Sequence, residues 1–269
     1  MLYDPIKKTL GRFFTGPLFM KKLFFNLLDL LLLRTWHVKK ALRRIGSGFP
    51  DKASVLDAGT GFGQYSWWMS KKYPGWKITA VDIDQEQVEN CISFFRDAGL
   101  SARIICRQGD LESLNETENY DIIITVDVME HIEDDEIVLN NFYRALKKGG
   151  IVLISTPSDR GGSDVHPGHN HSFIDEHVRD GYSIPEISGK LIKAGFKSIV
   201  PLYTYGKPGH ISWKLSMKYP VSLLGVSRVF FVLLPFYYLI VFPFALVLNI
   251  FDVSIKHNSG TGLLVTAKR

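Results

Sequence analysis

A regular alternation of strand-like and helix-like segments constrains this chain more than any other feature. Short apolar runs begin at Ser54 and are separated by stretches with helical spacing. The predicted strands cover 54–59, 77–84, 102–110, 120–128 and 151–157, and the predicted helices cover 64–72, 85–98 and 133–146. Alternation of this kind favours a parallel sheet covered by helices.

The rest of the chain extends this pattern. The run KKGG at 147–150 is expected to end the third helix, as a basic last turn followed by glycine caps. A polar loop rich in glycine and histidine follows Pro157. A helix is then predicted over 184–194, and strands are predicted over 197–205 and 261–269.

The turn between the first strand and the first helix, DAGTGFG at 57–63, is rich in glycine. Glycine allows positive φ angles and lets a nucleoside approach the backbone closely. A dinucleotide fingerprint would need glycine where this chain has Gln64, and Asp57 would repel a pyrophosphate. Asp82 follows Gly63 by 19 residues, where a carboxylate can accept both ribose hydroxyls. The pattern therefore favours a nucleoside with a cationic amino acid end over NAD.

With these motifs in order, the sequence resembles class I S-adenosylmethionine-dependent methyltransferases, in particular the small-molecule group that includes enzymes of ubiquinone and menaquinone biosynthesis. The resemblance covers 53–206 and 261–269. It is carried by VLDAGTGFG, AVDID, GDLESL, YDIIITVDVMEHIED and LKKGGIVLISTP. It implies an α/β fold with a Rossmann-like, doubly wound, mostly parallel seven-stranded sheet and an antiparallel last strand. It also implies methyl transfer from S-adenosyl-L-methionine.

The same resemblance implies roles for single residues. Gly59, Gly61 and Gly63 would line the methionine and ribose of the cofactor, with Asp57 near the amino group. The other implied cofactor contacts are Asp82 and Ile83 at the ribose, Asp110 and Leu111 at the adenine, and Asp127 at the end of the fourth strand.

Histidines are the candidate bases, and a base is needed only if the acceptor hydroxyl or amine must lose a proton. His131 follows the fourth strand, and the loop after the fifth strand supplies His166, His169 and His171. Ligands bind at these strand ends in open α/β sheets. For His131, packing beneath the cofactor is the competing interpretation. The spacing of HPGHNH matches no common zinc pattern, so no metal is expected.

The net charge of +5 is unevenly distributed. The N-terminal segment 1–46 carries +8, the segment 207–258 carries +4 and the tail 259–269 carries +2, whereas 47–206 carries −9. The first two basic segments are also the most apolar. This combination favours anionic lipid as a partner over nucleic acid, for which arginine interleaved with polar aromatics is expected.

These boundaries predict the domain organisation. The segment 1–46 is a basic amphipathic helical segment, 47–206 is the cofactor-binding domain, 207–258 is a hydrophobic insert and 259–269 returns to the domain as its final strand. A helix over 18–45 either packs over the domain or lies on a membrane surface. A secretory signal is disfavoured there, because Asp29 interrupts the apolar run and no small-residue cleavage site follows.

The insert contains 23 residues without a charge, 229–251, which is long enough to cross a bilayer. The last two strands are expected to pair in one cytosolic sheet, so a single crossing between them is excluded. A re-entrant or surface-lying hairpin over 219–251, broken at Pro235 and Pro243, is predicted instead. A lid or a homodimer interface is the alternative. The residues expected at the level of the lipid headgroups are Lys214, Lys218, Arg228, Tyr237 and Tyr238.

The leading hypothesis is a methyltransferase that acts at oxygen or carbon on a lipophilic small molecule, such as a quinone precursor, a polyprenyl or a fatty-chain compound. It is expected at the cytoplasmic, inner face of the membrane. Two alternatives stay open: a soluble acceptor with the insert as an anchor only, and a non-catalytic cofactor-binding module in a membrane assembly. Cys91 and Cys106 lack a partner spacing, so a reducing compartment is expected.

Overall fold

The computed structural model describes residues 17–49, 51–161, 178–226 and 230–269. The strands are β1 (Ser54–Ala58), β2 (Lys77–Asp82), β3 (Ile104–Gln108), β4 (Tyr120–Val126), β5 (Leu146–Pro157), β6 (Lys197–Thr204) and β7 (Gly262–Lys268). The helices are α1 (Leu18–Leu31), α2 (Leu33–Gly46), α3 (Gln64–Lys72), α4 (Gln85–Asp97), α5 (Asp135–Ala145), α6 (Ile184–Lys193), α7 (Lys207–Trp213), α8 (Tyr219–Val226) and α9 (Phe230–Ser254). A π-helical segment, Lys214–Lys218, joins α7 to α8.

The strands form one seven-stranded sheet in the order β3-β2-β1-β4-β5-β7-β6. β1 to β5 pair in parallel, whereas β7 is antiparallel to both β5 and β6. The predicted doubly wound sheet with an antiparallel last strand is therefore confirmed. Parallel order places the carboxyl ends of β1, β2 and β4 at one edge, where ligands bind in such sheets.

Apolar residues cover both faces of this sheet. Along β4, the side chains of Ile122 and Ile124 pack with α3 and α4, whereas Ile123 packs with α5 and α6 on the other face. All three are fully buried. This double burial explains the continuous apolar run of β4, because a parallel strand between two helical layers has no polar face.

The prediction that the run 147–150 ends a helix was wrong. α5 ends at Ala145, and β5 begins at Leu146, which pairs with Tyr120 across the sheet. On the other side, Gly149 N donates to Arg269 O and Arg269 N donates to the carbonyl oxygen of Gly150. The register with β4 shifts between the Tyr120–Leu146 and Ile122–Ile151 pairs, so the run 147–150 is an irregular part of β5 whose glycine backbone bonds to Arg269.

The N-terminal segment forms two helices rather than the single predicted helix, because the extended backbone of Leu32 separates α1 from α2. α1 packs on the domain through Phe25, whose ring centroid lies 5.1 Å from that of Phe94 in α4. The opposite face of α1 is exposed. Its exposed apolar residues are Phe19, Leu23, Leu27 and Leu30. The segment therefore packs over the domain and still presents an apolar face.

The insert is a helical hairpin, but its turn is not at the prolines. α9 continues through Pro235 and Pro243 without a break, and it runs antiparallel to the leg that contains Ser212 and Leu215. The hydroxyls of Tyr237 and Tyr238 donate to the carbonyl oxygens of Leu215 and Ser216 on the facing leg. These side-chain bonds hold the two legs together, so a single lost backbone bond at each proline is tolerated.

A buried carboxylate anchors the hairpin to the domain. Asp252 is fully buried and accepts hydrogen bonds from His37 Nε2 in α2 at 2.7 Å and from Gly209 N at 2.9 Å. His257 Nε2 lies 3.2 Å from the same carboxylate. Burial alone would raise the pKa of Asp252, but the hydrogen bond from His37 and the nearby His257 outweigh burial and lower it. Both legs of the hairpin and α2 therefore meet at one charged group.

Candidate active site

The glycine-rich loop follows β1 and leaves open space in front of its backbone. Gly59, Gly61 and Gly63 have φ angles of 77°, 51° and 79°, which other residues adopt only with strain. A Cβ on Gly59 would lie 2.2 Å from Val128 Cγ2. A Cβ on Gly61 would meet no atom of the described residues within 4 Å. Gly59 is therefore needed for packing, whereas Gly61 leaves room in front of the loop.

Asp57 is a charged group buried beneath this loop, with only 2% of its surface exposed. Its Oδ2 accepts hydrogen bonds from Ser66 Oγ at 2.6 Å and from Thr60 Oγ1 at 3.0 Å. Burial is the largest cause that raises the pKa of Asp57, to about 6. A cationic group bound nearby would favour the ionised form, so Asp57 fits the amino group of S-adenosylmethionine.

Asp82 ends β2 beside the loop. Its Oδ2 accepts from Gly61 N at 2.7 Å and its Oδ1 accepts from Asp84 N at 3.0 Å. A carboxylate has about four acceptor positions, so both oxygens keep capacity for ribose hydroxyls. The neighbouring Ile83 is 69% exposed, which leaves its side chain available to a ligand.

The remaining predicted cofactor residues lie at the ends of the neighbouring strands. Asp110 follows β3, is exposed, and accepts a hydrogen bond from Glu112 N at 2.9 Å. Leu111 beside it is buried. Asp127 follows β4 and has a φ of 53°, a strained backbone of the kind found at functional sites. All the predicted cofactor residues therefore lie along one edge of the sheet.

Arg34 was not identified from the sequence as a site residue. It begins the first turn of α2, forms an ion pair with Asp127, and donates its backbone N–H to Tyr205 Oη at 2.9 Å. Burial by itself lowers the pKa of Arg34, but Tyr65, Tyr205 and Glu130 outweigh it and the pKa is raised. In the sequence, Arg34 stands out as a charge that follows four leucines, but it was interpreted only as one of the basic residues beside the apolar run.

A buried acid, Glu130, lies behind this ion pair in the turn Met129–His131. It is 1% exposed and accepts a hydrogen bond from Thr156 Oγ1 at 3.1 Å. Burial is the main cause that raises its pKa. His131 follows in the same turn and is half-buried. The other candidate bases, His166, His169 and His171, lie outside the described residues.

The N-terminal segment closes over the glycine loop. Gln64, the first residue of α3, donates from Nε2 to Asp29 Oδ1 in α1 at 2.6 Å. Asp29 also forms an ion pair with Lys39 in α2. The residue that interrupts the apolar run of α1 is therefore a polar contact to the start of the cofactor-binding helix.

Comparisons with known proteins agree with this geometry. Residues 55–150 match the methyltransferase domain family. Ubiquinone biosynthesis O-methyltransferase of Rickettsia canadensis is 28% identical over 117 residues, which are 43% of this chain and 48% of that protein. Malonyl-[acyl-carrier protein] O-methyltransferase of Priestia megaterium is 27% identical over 124 residues, which are 46% of this chain and 44% of that protein. The chain spans about half the length, or less, of the curated relatives it matches.

Solved structures share the fold. Phosphoethanolamine N-methyltransferase 2 of Haemonchus contortus has a TM-score of 0.61 at 18% identity and covers 87% of this chain and 52% of its own. A putative sarcosine dimethylglycine methyltransferase of Galdieria sulphuraria has a TM-score of 0.59 at 20% identity, and the match covers 87% of this chain and 83% of that protein. Residues 55–150 thus form a methyltransferase domain, and its cofactor is S-adenosyl-L-methionine.

Proposed function

We propose that the protein transfers a methyl group to oxygen or carbon of a lipophilic small molecule at the inner surface of a membrane. The observation that carries this proposal is the position of the apolar hairpin. It leaves and re-enters the sheet at Thr204 and Gly262, which are paired neighbours. Its base touches α2 through His37 and Asp252, one helical turn from Arg34 of the cofactor site.

The chain's own residues supply binding and orientation. The cofactor, when bound, supplies an electrophilic methyl group on a sulfonium. Asp57 would hold the amino group and Asp82 the ribose, while Arg34 would neutralise the methionine carboxylate beside Asp127. The acceptor atom would form a bond to the methyl carbon as the carbon–sulfur bond breaks, with the electron pair left on sulfur. Alignment of these three atoms is the main contribution of the protein.

An acceptor hydroxyl must also pass its proton to a base. We assign this role to His131, His169 or His171, because imidazole has an unperturbed pKa near neutrality and their segments follow β4 and β5. Alanine at both His169 and His171 should lower kcat by about a hundredfold or more at pH 7. Unchanged turnover of this double variant would refute a base role for His169 and His171.

The proposed membrane contact rests on exposed apolar surface. In α9, Val232–Ser254 contains an 18-residue window with a mean hydropathy of 2.1, of which only 11% is buried, so the helix is long and apolar enough to cross a membrane. Because the hairpin begins and ends at paired strands, one crossing would place β6 and β7 on opposite sides. A hairpin embedded in one leaflet avoids this. Lys214 and Lys218 on the outgoing leg then lie near the anionic headgroups.

Vesicle flotation tests this contact. Wild-type protein should float with vesicles that contain an anionic lipid, and Leu239→Glu combined with Phe244→Glu, at positions 77% and 65% exposed, should not. The matched control is Ile105→Glu with Ile192→Glu, at positions 63% and 65% exposed on the domain. Equal flotation of both double variants, or wild type that stays in the aqueous fraction, would contradict the proposal.

Two assays test the reaction itself. Calorimetry should detect binding of S-adenosylmethionine, and failure to bind would refute every enzymatic interpretation. Incubation with methyl-labelled cofactor and a total lipid extract should place the label in the lipid fraction. Label recovered only in water-soluble products would instead support the soluble-acceptor alternative, with the hairpin as an anchor.

A further inference from the structure

A cavity of about 250 Å³ lies between the junction of α1 and α2 and the base of the hairpin. Its walls are mostly apolar and come from both sides. The lining residues used below are Leu31, Leu33, Arg34, Trp213, Met217 and Asn249. Because Arg34 also pairs with Asp127 at the end of β4, the cavity adjoins the cofactor site rather than a remote surface.

Two buried polar atoms of the lining residues lack partners. Asn249 is only 4% exposed, and its Oδ1 has no hydrogen-bond partner among the described residues. The same holds for Nε of Arg34. A buried polar group without a partner destabilises the fold, so such atoms usually meet a ligand or water. One is an acceptor and the other a donor.

The backbone of the hairpin is also irregular at this point. Met217 and Ser216, which line the cavity, belong to the π-helical segment Lys214–Lys218. π-helical turns are rare and often mark functional sites. Here the carbonyls of Leu215 and Ser216 are satisfied from the other leg by Tyr237 and Tyr238. The irregular turn is therefore held in place by specific contacts.

We infer that this cavity binds the head of the methyl acceptor, and that Asn249 and Arg34 select a hydroxylated head group carried on an aliphatic chain. This inference rests on the proposed function. The hydroxyl donates to Asn249 Oδ1, while an oxygen of the head accepts from Arg34 Nε. The chain packs against Trp213 and Met217 and continues along the apolar hairpin. The acceptor then enters from the lipid side and meets the cofactor at Asp127.

A pair of probes separates these contacts. 4-Dodecylphenol has a hydroxyl donor, and 4-dodecylanisole has the same ring and chain without it. Calorimetry on the amphipol-stabilised full-length protein should show about tenfold tighter binding of the phenol, the effect of one buried hydrogen bond. Asn249→Leu should abolish this difference without lowering the unfolding midpoint, because it removes an unpaired polar atom. Asn140→Leu, on the exposed face of α5, is the matched control.

A second variant keeps the inference testable if Asn249→Leu does not fold. Met217→Trp fills the cavity and should weaken both probes at least tenfold, while binding of S-adenosylmethionine is unchanged. Equal affinity of wild type for the two probes would overturn the inference, as would preserved discrimination in Asn249→Leu or normal probe binding in Met217→Trp. If the protein discriminates the probes but does not bind the cofactor, the proposed function fails and the cavity assignment stands.

Discussion

Asp57→Asn should make the cofactor-free protein more stable and, at the same time, unable to bind its cofactor well. The wild-type carboxylate is buried with 2% exposure, and its pKa is raised from 3.8 to about 6. Each tenfold change in acidity corresponds to about 1.4 kcal/mol. The ionised form of Asp57 therefore costs the folded state about 3 kcal/mol at neutral pH.

Asparagine removes this cost and keeps the local hydrogen bonds. Ser66 and Thr60 both donate to the same oxygen of Asp57, Oδ2, so the single amide oxygen of asparagine can accept from both. We expect about 1–3 kcal/mol of added stability at pH 7, allowing for imperfect replacement of the second oxygen. Affinity for S-adenosylmethionine should fall at least tenfold, because the amino group loses a charged partner.

The pH dependence gives the sharper test. A carboxyl group with a raised pKa in the folded state stabilises the fold below its usual pKa and loses that contribution as the pH rises from about 4 to about 6. The variant should thus gain over wild type within this window and hold a constant advantage above it. Urea denaturation at several pH values measures the difference, and calorimetry measures cofactor affinity.

Asp110→Asn serves as the control for this pair of effects. Asp110 is exposed, so its substitution should weaken cofactor binding without any gain in stability. If Asp57→Asn proved less stable than wild type at pH 7, or bound the cofactor normally, the assignment of Asp57 as a buried partner of the amino group would be refuted.

Three further substitutions test other contacts. Gly61→Ala places a Cβ in open space at a φ of 51°, so we expect a stability loss of about 1–2 kcal/mol in urea but a loss of more than tenfold in cofactor affinity by calorimetry. Arg34→Met removes the ion pair with Asp127 and should weaken cofactor binding about tenfold or more, with normal binding as the contrary result. Asp252→Asn weakens the hydrogen bond from His37 and should increase hydrogen exchange at the hairpin base while the sheet stays protected. In wild type the contact should fail only below about pH 4, since the pKa of Asp252 is lowered from 3.8.

The sheet and the cofactor edge could be predicted because their signals are local in the sequence. The parallel strands end at predicted cofactor residues, as with Asp82 at the end of β2 and Asp127 after β4, and parallel order brings these ends together without further information. The run 147–150 was mispredicted because its glycines also suit a helix end. Its conformation depends on the bonds of its glycines to Arg269 and on the pairing of the preceding Leu146 with Tyr120, and both partners are distant in sequence.

The contacts that the N-terminal segment and the hairpin make could not be predicted for the same reason. Asp29 meets Gln64, and His37 meets Asp252 across 215 residues of sequence. No local pattern indicates such pairs. Pro235 and Pro243 locally predict a helix break, but α9 continues through both because it packs against the facing leg of the hairpin.

The strand order also has a consequence for how the chain assembles. β7 lies between β5 and β6, so β6 has to wait for a partner that follows the whole hairpin in the chain. During synthesis the apolar legs therefore emerge while this side of the sheet is still open. The proposed contact with the bilayer can therefore form before the final strand completes the sheet.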